Sequence, residues 1–371
     1  MRRPALLLLV LVLAGLALTG CGSTTTSSPG DRDAGGNPVD SGSASVDAAV
    51  VPGDDAGTQT GDDAGTQPGD DAAVLPGDDA AVTPGDDAGT VTPGGPDSAG
   101  PYVVTRTSTM RTGSTVVAYV PTLGAGARVP LVVFKHGFQL SSANYATTLQ
   151  RIATHGFVVL GVDTRSGLIG GPTNIDERDA MIRAIDWALS DAPFAASVDG
   201  AHIAVMGHSR GGKVAVLAAA ADARVTAALL LDPVNGCGPG SPYSASCPDA
   251  RIGAAALTIP VGVMGETNDA TGGFMPCAPT AQNYTTIYGA LTSSWAVQWT
   301  FADAVHMTFT DDGGGSAGTF CAREPANVDV LRADIRAMSV AFVRYHLRGE
   351  ADMAAWLTGS SVPSSAATVG P

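Results

Sequence analysis

The sequence predicts an α/β domain: a mostly parallel central sheet with helices on both faces and an antiparallel N-terminal hairpin. Three observations carry that expectation. Short apolar runs of strand type alternate with helix-period segments from residue 101 onward. The first two runs alternate in strand fashion with only a brief break between them. A Gly-x-Ser-x-Gly motif stands where a strand gives way to a helix.

The elements follow in order. Val103–Thr109 and Thr115–Val120 form the expected hairpin, an antiparallel edge. Leu131–Lys135 is a short buried-strand run, Ser142–Thr154 has helical spacing, and Phe157–Val162 is again a buried strand. Ile175–Leu189 places Ile175, Ala180, Met181, Ala184, Ile185 and Leu189 on one broad face, as an amphipathic helix does. Ile203–Met206 is a strand, and Gly211–Ala221 is small and apolar enough for a buried helix. Val225–Leu231, Ile259–Met264 and Ala296–Phe301 are further strands, and Val328–Leu347 is a long closing helix. The segment 358–371 is short, polar and small-residue rich, and is expected to be disordered.

Charge divides the chain. Of the 371 residues, 20 are Lys or Arg and 35 are Asp or Glu, for a net charge of −15. Residues 22–100 hold 15 Asp, no Glu and one Arg, and so carry −14, whereas residues 101–371 carry only −3. A near-neutral domain behind a polyanionic tail lacks the basic face that phosphate neutralisation requires, which excludes nucleic acid as a partner.

The N-terminus supplies an address. Arg2 and Arg3 precede the 14-residue apolar run Ala5–Leu18, too short to span a bilayer and right for a signal peptide. Leu18-Thr19-Gly20-Cys21 resembles the lipobox of bacterial lipoproteins, which implies acylation at Cys21 and anchoring by more than one chain. Gly22 after the cysteine leans the expectation towards the outer membrane or cell surface, because no Asp stands at the inner-membrane retention position. Residues 22–100 then repeat Gly-Asp-Asp at 53, 61, 69, 77 and 85, a period of eight. So little apolar content and so much like charge predict an extended, disordered linker spanning roughly 50 Å. A calcium array is the alternative, but the Asp-x-Asp-x-Asp-Gly order of calcium loops is missing.

Cys237, Cys247, Cys277 and Cys321 remain, an even number in an exported domain. Three pairings are possible. Cys237–Cys247 across a Gly/Pro/Ser loop and Cys277–Cys321 across two late loops are the favoured set. With no Cys-x-x-Cys and six scattered His, no structural metal and no cofactor is expected.

The chemistry centres on Gly207-His208-Ser209-Arg210-Gly211-Gly212, a nucleophile elbow between the strand ending at Met206 and the helix that follows. Its serine must stand on a sharp turn, and side chains two residues to either side would collide with the crossing backbone. A serine hydroxyl needs a base. In folds with this elbow the chain order is Ser, acid, His, so His136, His155, His202 and His208 come too early. His208 fits a role in orienting the turn, and His346 is expected on the exposed face of the closing helix. His306, on the loop after Ala296–Phe301, is the candidate base. Two carboxylates could orient it: Asp232 at the end of Val225–Leu231, and Asp269 after the next strand. The backbone N–H groups of Phe138 and Arg210 are the candidate oxyanion donors. Phe138, Trp187 and Trp295 are candidate apolar linings of the cleft.

These residues resemble α/β-hydrolases of the chlorophyllase and polyester-hydrolase (cutinase-like) group. The chlorophyllase side rests on the elbow, Leu231-Asp232-Pro233-Val234-Asn235-Gly236, Cys277-Ala278-Pro279 and Asp303-Ala304-Val305-His306-Met307 with Asp311-Asp312 beyond. His155-Gly156-Phe157-Val158-Val159, Val162-Asp163-Thr164, Val198-Asp199 and Val205-Met206-Gly207 are similar to polyesterases. The chlorophyllase resemblance implies Asp232 as the acid, and the polyesterase resemblance implies Asp269; the denser match favours Asp232. The expected activity is therefore metal-independent hydrolysis of a small or polymeric carboxylic ester by a monomer that touches the membrane only through its lipid. An inactive hydrolase-fold binding lipoprotein and a serine peptidase on the same fold are the alternatives.

Overall fold

The computed structural model describes residues 94–164, 171–238, 241–270 and 276–370. Cys21, its apolar leader and the Gly-Asp-Asp repeats lie outside the described residues.

Nine strands form one sheet in the order β1-β2-β4-β3-β5-β6-β7-β8-β9. The strands are β1 (Val104–Arg111), β2 (Ser114–Pro121), β3 (Val129–Lys135), β4 (Val158–Thr164), β5 (Val198–His208), β6 (Val225–Leu231), β7 (Val261–Glu266), β8 (Ala296–Phe301) and β9 (Ala366–Val369). The six central strands run parallel, and antiparallel partners close both sides: β1 and β2 at one, β9 at the other. This is the α/β-hydrolase architecture, with the hairpin on the expected edge.

Because side chains alternate across a strand, each central strand feeds two cores. Val132, Phe134, Ala204, Met206 and Leu229 face one layer, where Leu149 and Ile152 of α1 (Ala146–Thr154) meet Met338 and Phe342 of α6 (Val328–Arg348). Leu131, Val133, Ile203, Val205 and Leu230 face the other. There they meet Met181 and Ile185 of α2 (Asn174–Ser190) and Val214 and Ala218 of α3 (Arg210–Ala221). Two short helices, α4 (Ala250–Ala256) and α5 (Tyr284–Tyr288), complete that side. Helix α2 starts where its sequence dictates: Thr173 and Asp176 form a reciprocal capping box, the Asp176 N–H donating to the Thr173 hydroxyl at 3.1 Å.

Two expectations about the domain's ends are corrected. Residues 94–100 belong to the folded unit: Gly100 donates to the Thr154 hydroxyl at 2.9 Å, and Arg344 holds the Gly94 carbonyl at 2.8 Å. The tail from 358 is ordered rather than disordered. Ala366–Val369 pairs with Phe301–Gln298 of β8, and Ser365 donates to Asp334 at 2.6 Å. The reason is backbone, not composition: β8 would otherwise expose a row of unpaired N–H and C=O groups, and any short segment within reach can satisfy them.

Candidate active site

Ser209, Asp232, Asp269 and His306 converge at the C-terminal ends of the parallel strands, where α/β sheets place their sites. Strand β5 ends at His208, helix α3 begins at Arg210, and Ser209 between them adopts φ 56°, ψ −126°. A left-handed conformation in a non-glycine residue is strained, and it is held by the surroundings. A Cβ on Gly207 would lie 2.2 Å from the Gly211 carbonyl oxygen, and one on Gly211 would lie 2.1 Å from that of Lys135. Only glycine permits those approaches.

His306, on the turn after β8, is 3 % exposed. Its Nε2 lies 2.8 Å from Ser209 Oγ, and its Nδ1 lies 2.5 Å from Asp232 Oδ2. Burial works to lower the His306 pKa. The hydrogen bond and charge of Asp232, with smaller help from Asp269 and Glu266, outweigh it and hold the imidazole above its ordinary 6.5. Asp232 stands one residue past β6, in a left-handed conformation with φ 38°, and its N–H is anchored on the Met264 carbonyl at 2.8 Å.

Asp269 does something else. Its carboxylate accepts the backbone N–H of His306 at 2.9 Å and that of Ala322 at 2.8 Å. It grips the main chain of the His306 turn and leaves the ring to Asp232. The Cys277–Cys321 disulfide ends one residue before Ala322, so covalent and hydrogen-bonded restraints meet there. The Cys237–Cys247 disulfide closes the loop that follows Asp232, matching the other expected pair. Asp269, Cys277 and Cys321 have ligand-type spacing. The two sulfurs are bonded to each other, which leaves no thiolate to hold a metal.

The oxyanion side is built from β3 and its loop. Neither the Phe138 nor the Arg210 backbone N–H has a protein acceptor among the described residues, as free donors for a substrate require. The Arg210 guanidinium lies 5.9 Å from the Phe138 ring and is held by Glu177 at 2.6 Å and the Pro172 carbonyl at 2.5 Å. Glu177 also pairs with Lys135 at 3.3 Å, a lysine that burial pushes down to about 8 against that pull. Asp311 fastens the His306 loop to the start of α1, accepting from the Thr147 N–H at 2.7 Å and the Thr148 hydroxyl at 2.9 Å.

Three placements depart from expectation. Trp187 packs on Phe194 at 5.4 Å, and Trp295 sits among Trp299, Phe342 and Tyr345, both at the far ends of the strands from Ser209. Phe138 alone of the three lines the site, and it is 48 % exposed. His346 is not on an open face: its ring lies 4.1 Å from Trp295, and burial pushes its pKa down to about 4. Sequence reading passed over Tyr145, Glu177 and Glu266. Tyr145 reaches His208 and Glu177 reaches Lys135 and Arg210 across tens of residues, and Glu266 accepts the Asp269 N–H at 2.8 Å without any motif of its own.

Known proteins are similar to this chain in sequence. The family model described as Chlorophyllase matches residues 99–365. Chlorophyllase-1 of Arabidopsis thaliana is 30 % identical over 246 residues, covering 60 % of this chain and 73 % of that protein. Chlorophyllase-1, chloroplastic, of Citrus unshiu is 26 % identical over 236 residues, covering 60 % and 70 %. Cutinase 2 of Thermobifida cellulosilytica is 37 % identical over 87 residues, 22 % of this chain and 30 % of that protein. The chain therefore belongs to the chlorophyllase family and is a carboxylic-ester hydrolase on the α/β-hydrolase fold.

Proposed function

We propose that Ser209, His306 and Asp232 form the catalytic triad and that hydrolysis passes through an acyl-enzyme on Ser209. His306 Nε2 takes the hydroxyl proton as Ser209 Oγ attacks the ester carbonyl. The Phe138 and Arg210 N–H groups hold the resulting oxyanion, and Asp232 steadies the imidazolium. Collapse expels the alcohol, which leaves with the proton from His306. Water then repeats the sequence, with His306 again as base, and frees the acid. The observation that carries this reading is the unbroken line from Asp232 Oδ2 through His306 to Ser209 Oγ, with gaps of 2.5 and 2.8 Å.

The test is direct. The purified chain should cleave p-nitrophenyl esters and become labelled by an organophosphonate at Ser209; folded protein that leaves Ser209 unlabelled refutes the triad. A panel running from acetyl through long-chain esters to an aromatic polyester film then ranks substrates.

The location is part of the proposal. A lipid on Cys21 would tether the enzyme, as a monomer, outside a bacterial membrane, and the acidic stretch 22–100 would act as a solvated spacer. The lipobox and the period-eight repeat support this. Radiolabelled palmitate should enter the wild-type chain in a lipoprotein-processing host and fail to enter Cys21→Ser. Removing residues 31–93 should leave kcat on soluble esters unchanged.

A further inference from the structure

One buried chain of hydrogen bonds near Ser209 takes no part in the triad. The Gly137 N–H donates to the Tyr145 hydroxyl oxygen at 3.2 Å. That hydroxyl lies 2.7 Å from His208 Nδ1. His208 Nε2 lies 3.0 Å from the His306 carbonyl oxygen. Tyr145 and His208 are 1 % and 0 % exposed, and each of these links is direct.

The two ends decide every proton in between. An amide N–H can only donate and a carbonyl can only accept. His208 Nε2 therefore carries a hydrogen, the Tyr145 hydroxyl donates to Nδ1, and its oxygen accepts from Gly137. A doubly protonated His208 would turn Nδ1–H against Tyr145 and leave the tyrosine hydrogen buried without an acceptor, which is costly. Burial favours the neutral form of both rings: it pushes the His208 pKa well down and the Tyr145 pKa up.

The chain joins two halves of the site. At one end the Gly137 carbonyl is also held, by His136 Nδ1 at 2.7 Å, so both faces of that residue are fixed. The Gly137–Phe138 peptide carries the Phe138 N–H, the proposed oxyanion donor. At the other end the main chain of His306 is held by His208 through its carbonyl and by Asp269 through its N–H. The His208 and His306 rings lie 4.5 Å apart. A neutral neighbour at that distance leaves the transient charge on His306 unopposed.

We propose that Tyr145 and His208 are positioning residues that form a one-way hydrogen-bond relay, setting the oxyanion loop against the base, with His208 fixed as the neutral Nε2–H tautomer throughout turnover. The kinetic part rests on the esterase reading; the tautomer does not.

The experiment is a double-mutant cycle on the full chain, with Tyr145→Phe, His208→Phe and the pair, read with p-nitrophenyl esters. Each single variant should lower kcat by about 10- to 100-fold, as displaced catalytic groups do, with KM within about twofold of wild type. The double variant should lose no more than the worse single. Losses that multiply, or a rise in KM at unchanged kcat, overturn the relay. If His208→Phe fails to fold, Tyr145→Phe decides alone through long-range 15N–1H spectra of the histidines. Wild-type His208 should read as Nε2–H from pH 5 to pH 9; Tyr145→Phe should keep that tautomer, because the His306 carbonyl still requires the Nε2 hydrogen, and should shift only the Nδ1 resonance that loses its donor. An imidazolium or an Nδ1–H form in wild type overturns the proposal. A chain with this tautomer that neither hydrolyses esters nor labels at Ser209 would refute the esterase reading and leave the His208 assignment standing.

Discussion

Asp232 and Asp269 stand past the ends of neighbouring strands, β6 and β7, and both are fully buried. Yet one meets the imidazole of His306 and the other meets its backbone N–H. The difference is one of reach. Asp232 follows its strand by a single residue and is turned by a left-handed backbone, so its carboxylate arrives at the ring nitrogen Nδ1. Asp269 lies three residues beyond β7, where it bridges the His306 turn to Ala322. Two identical side chains thus divide the work of holding one histidine. One bonds its ring nitrogen, and the other bonds its main chain.

Breaking each carboxylate separately gives the largest contrast. Asp232→Asn should lower kcat by about 10⁴-fold, because the imidazole loses both its tautomer lock and its counter-charge. Asp269→Asn should lower kcat by about 10- to 100-fold through displacement of the base. The reverse order would exchange their roles.

The pH profile sharpens the same distinction. His306 must be neutral to act as base, and its pKa lies above 6.5 because of Asp232 first and Asp269 less. The acid limb of kcat/KM should therefore sit above pH 6.5 in wild type. It should move to lower pH in Asp232→Asn, with a smaller shift the same way in Asp269→Asn.

Next in size is the covalent support beside Asp269. Replacing Cys277 and Cys321 by Ser should remove about 2–4 kcal/mol of stability and lower kcat less than Asp269→Asn does, as chemical denaturation and ester assays would measure.

The smallest effect concerns Glu266, whose buried carboxyl is pushed up from 4.5 to about 8 by burial first and by Asp232 second. A carboxyl with a raised folded pKa contributes its stability at low pH and loses it as pH rises between those values, because the unfolded chain releases its proton first. Glu266→Gln should flatten that decline, seen as a smaller change in Tm between pH 5 and pH 8 than in wild type.

Much of this was legible beforehand, because period and punctuation are local properties. The strand runs hold the continuous apolar stretches 131–134, 157–162 and 227–231, which suit a sheet covered on both faces. The elbow announces itself because its glycines answer a steric demand within five residues. Chain order then selects His306. Of the three pairings open to the four cysteines, the structure forms the favoured set.

What the sequence could not decide depends on distances between remote segments. Composition makes the tail look loose, whereas the open edge of β8 recruits it as a strand. Hydrophobicity makes Trp187 and Trp295 plausible cleft walls, whereas the strand direction puts them at the wrong end of the sheet. A carboxylate on either of two loops could reach His306 on sequence grounds, and the backbone turn at Asp232 is what puts its Oδ2 2.5 Å from His306 Nδ1 and supports the proposed triad. The sequence determined which residue types were present for ester hydrolysis and in what order. Tertiary structure assigned each one its atom, because a hydrogen bond responds to tenths of an ångström and a sequence pattern responds only to spacing along the chain.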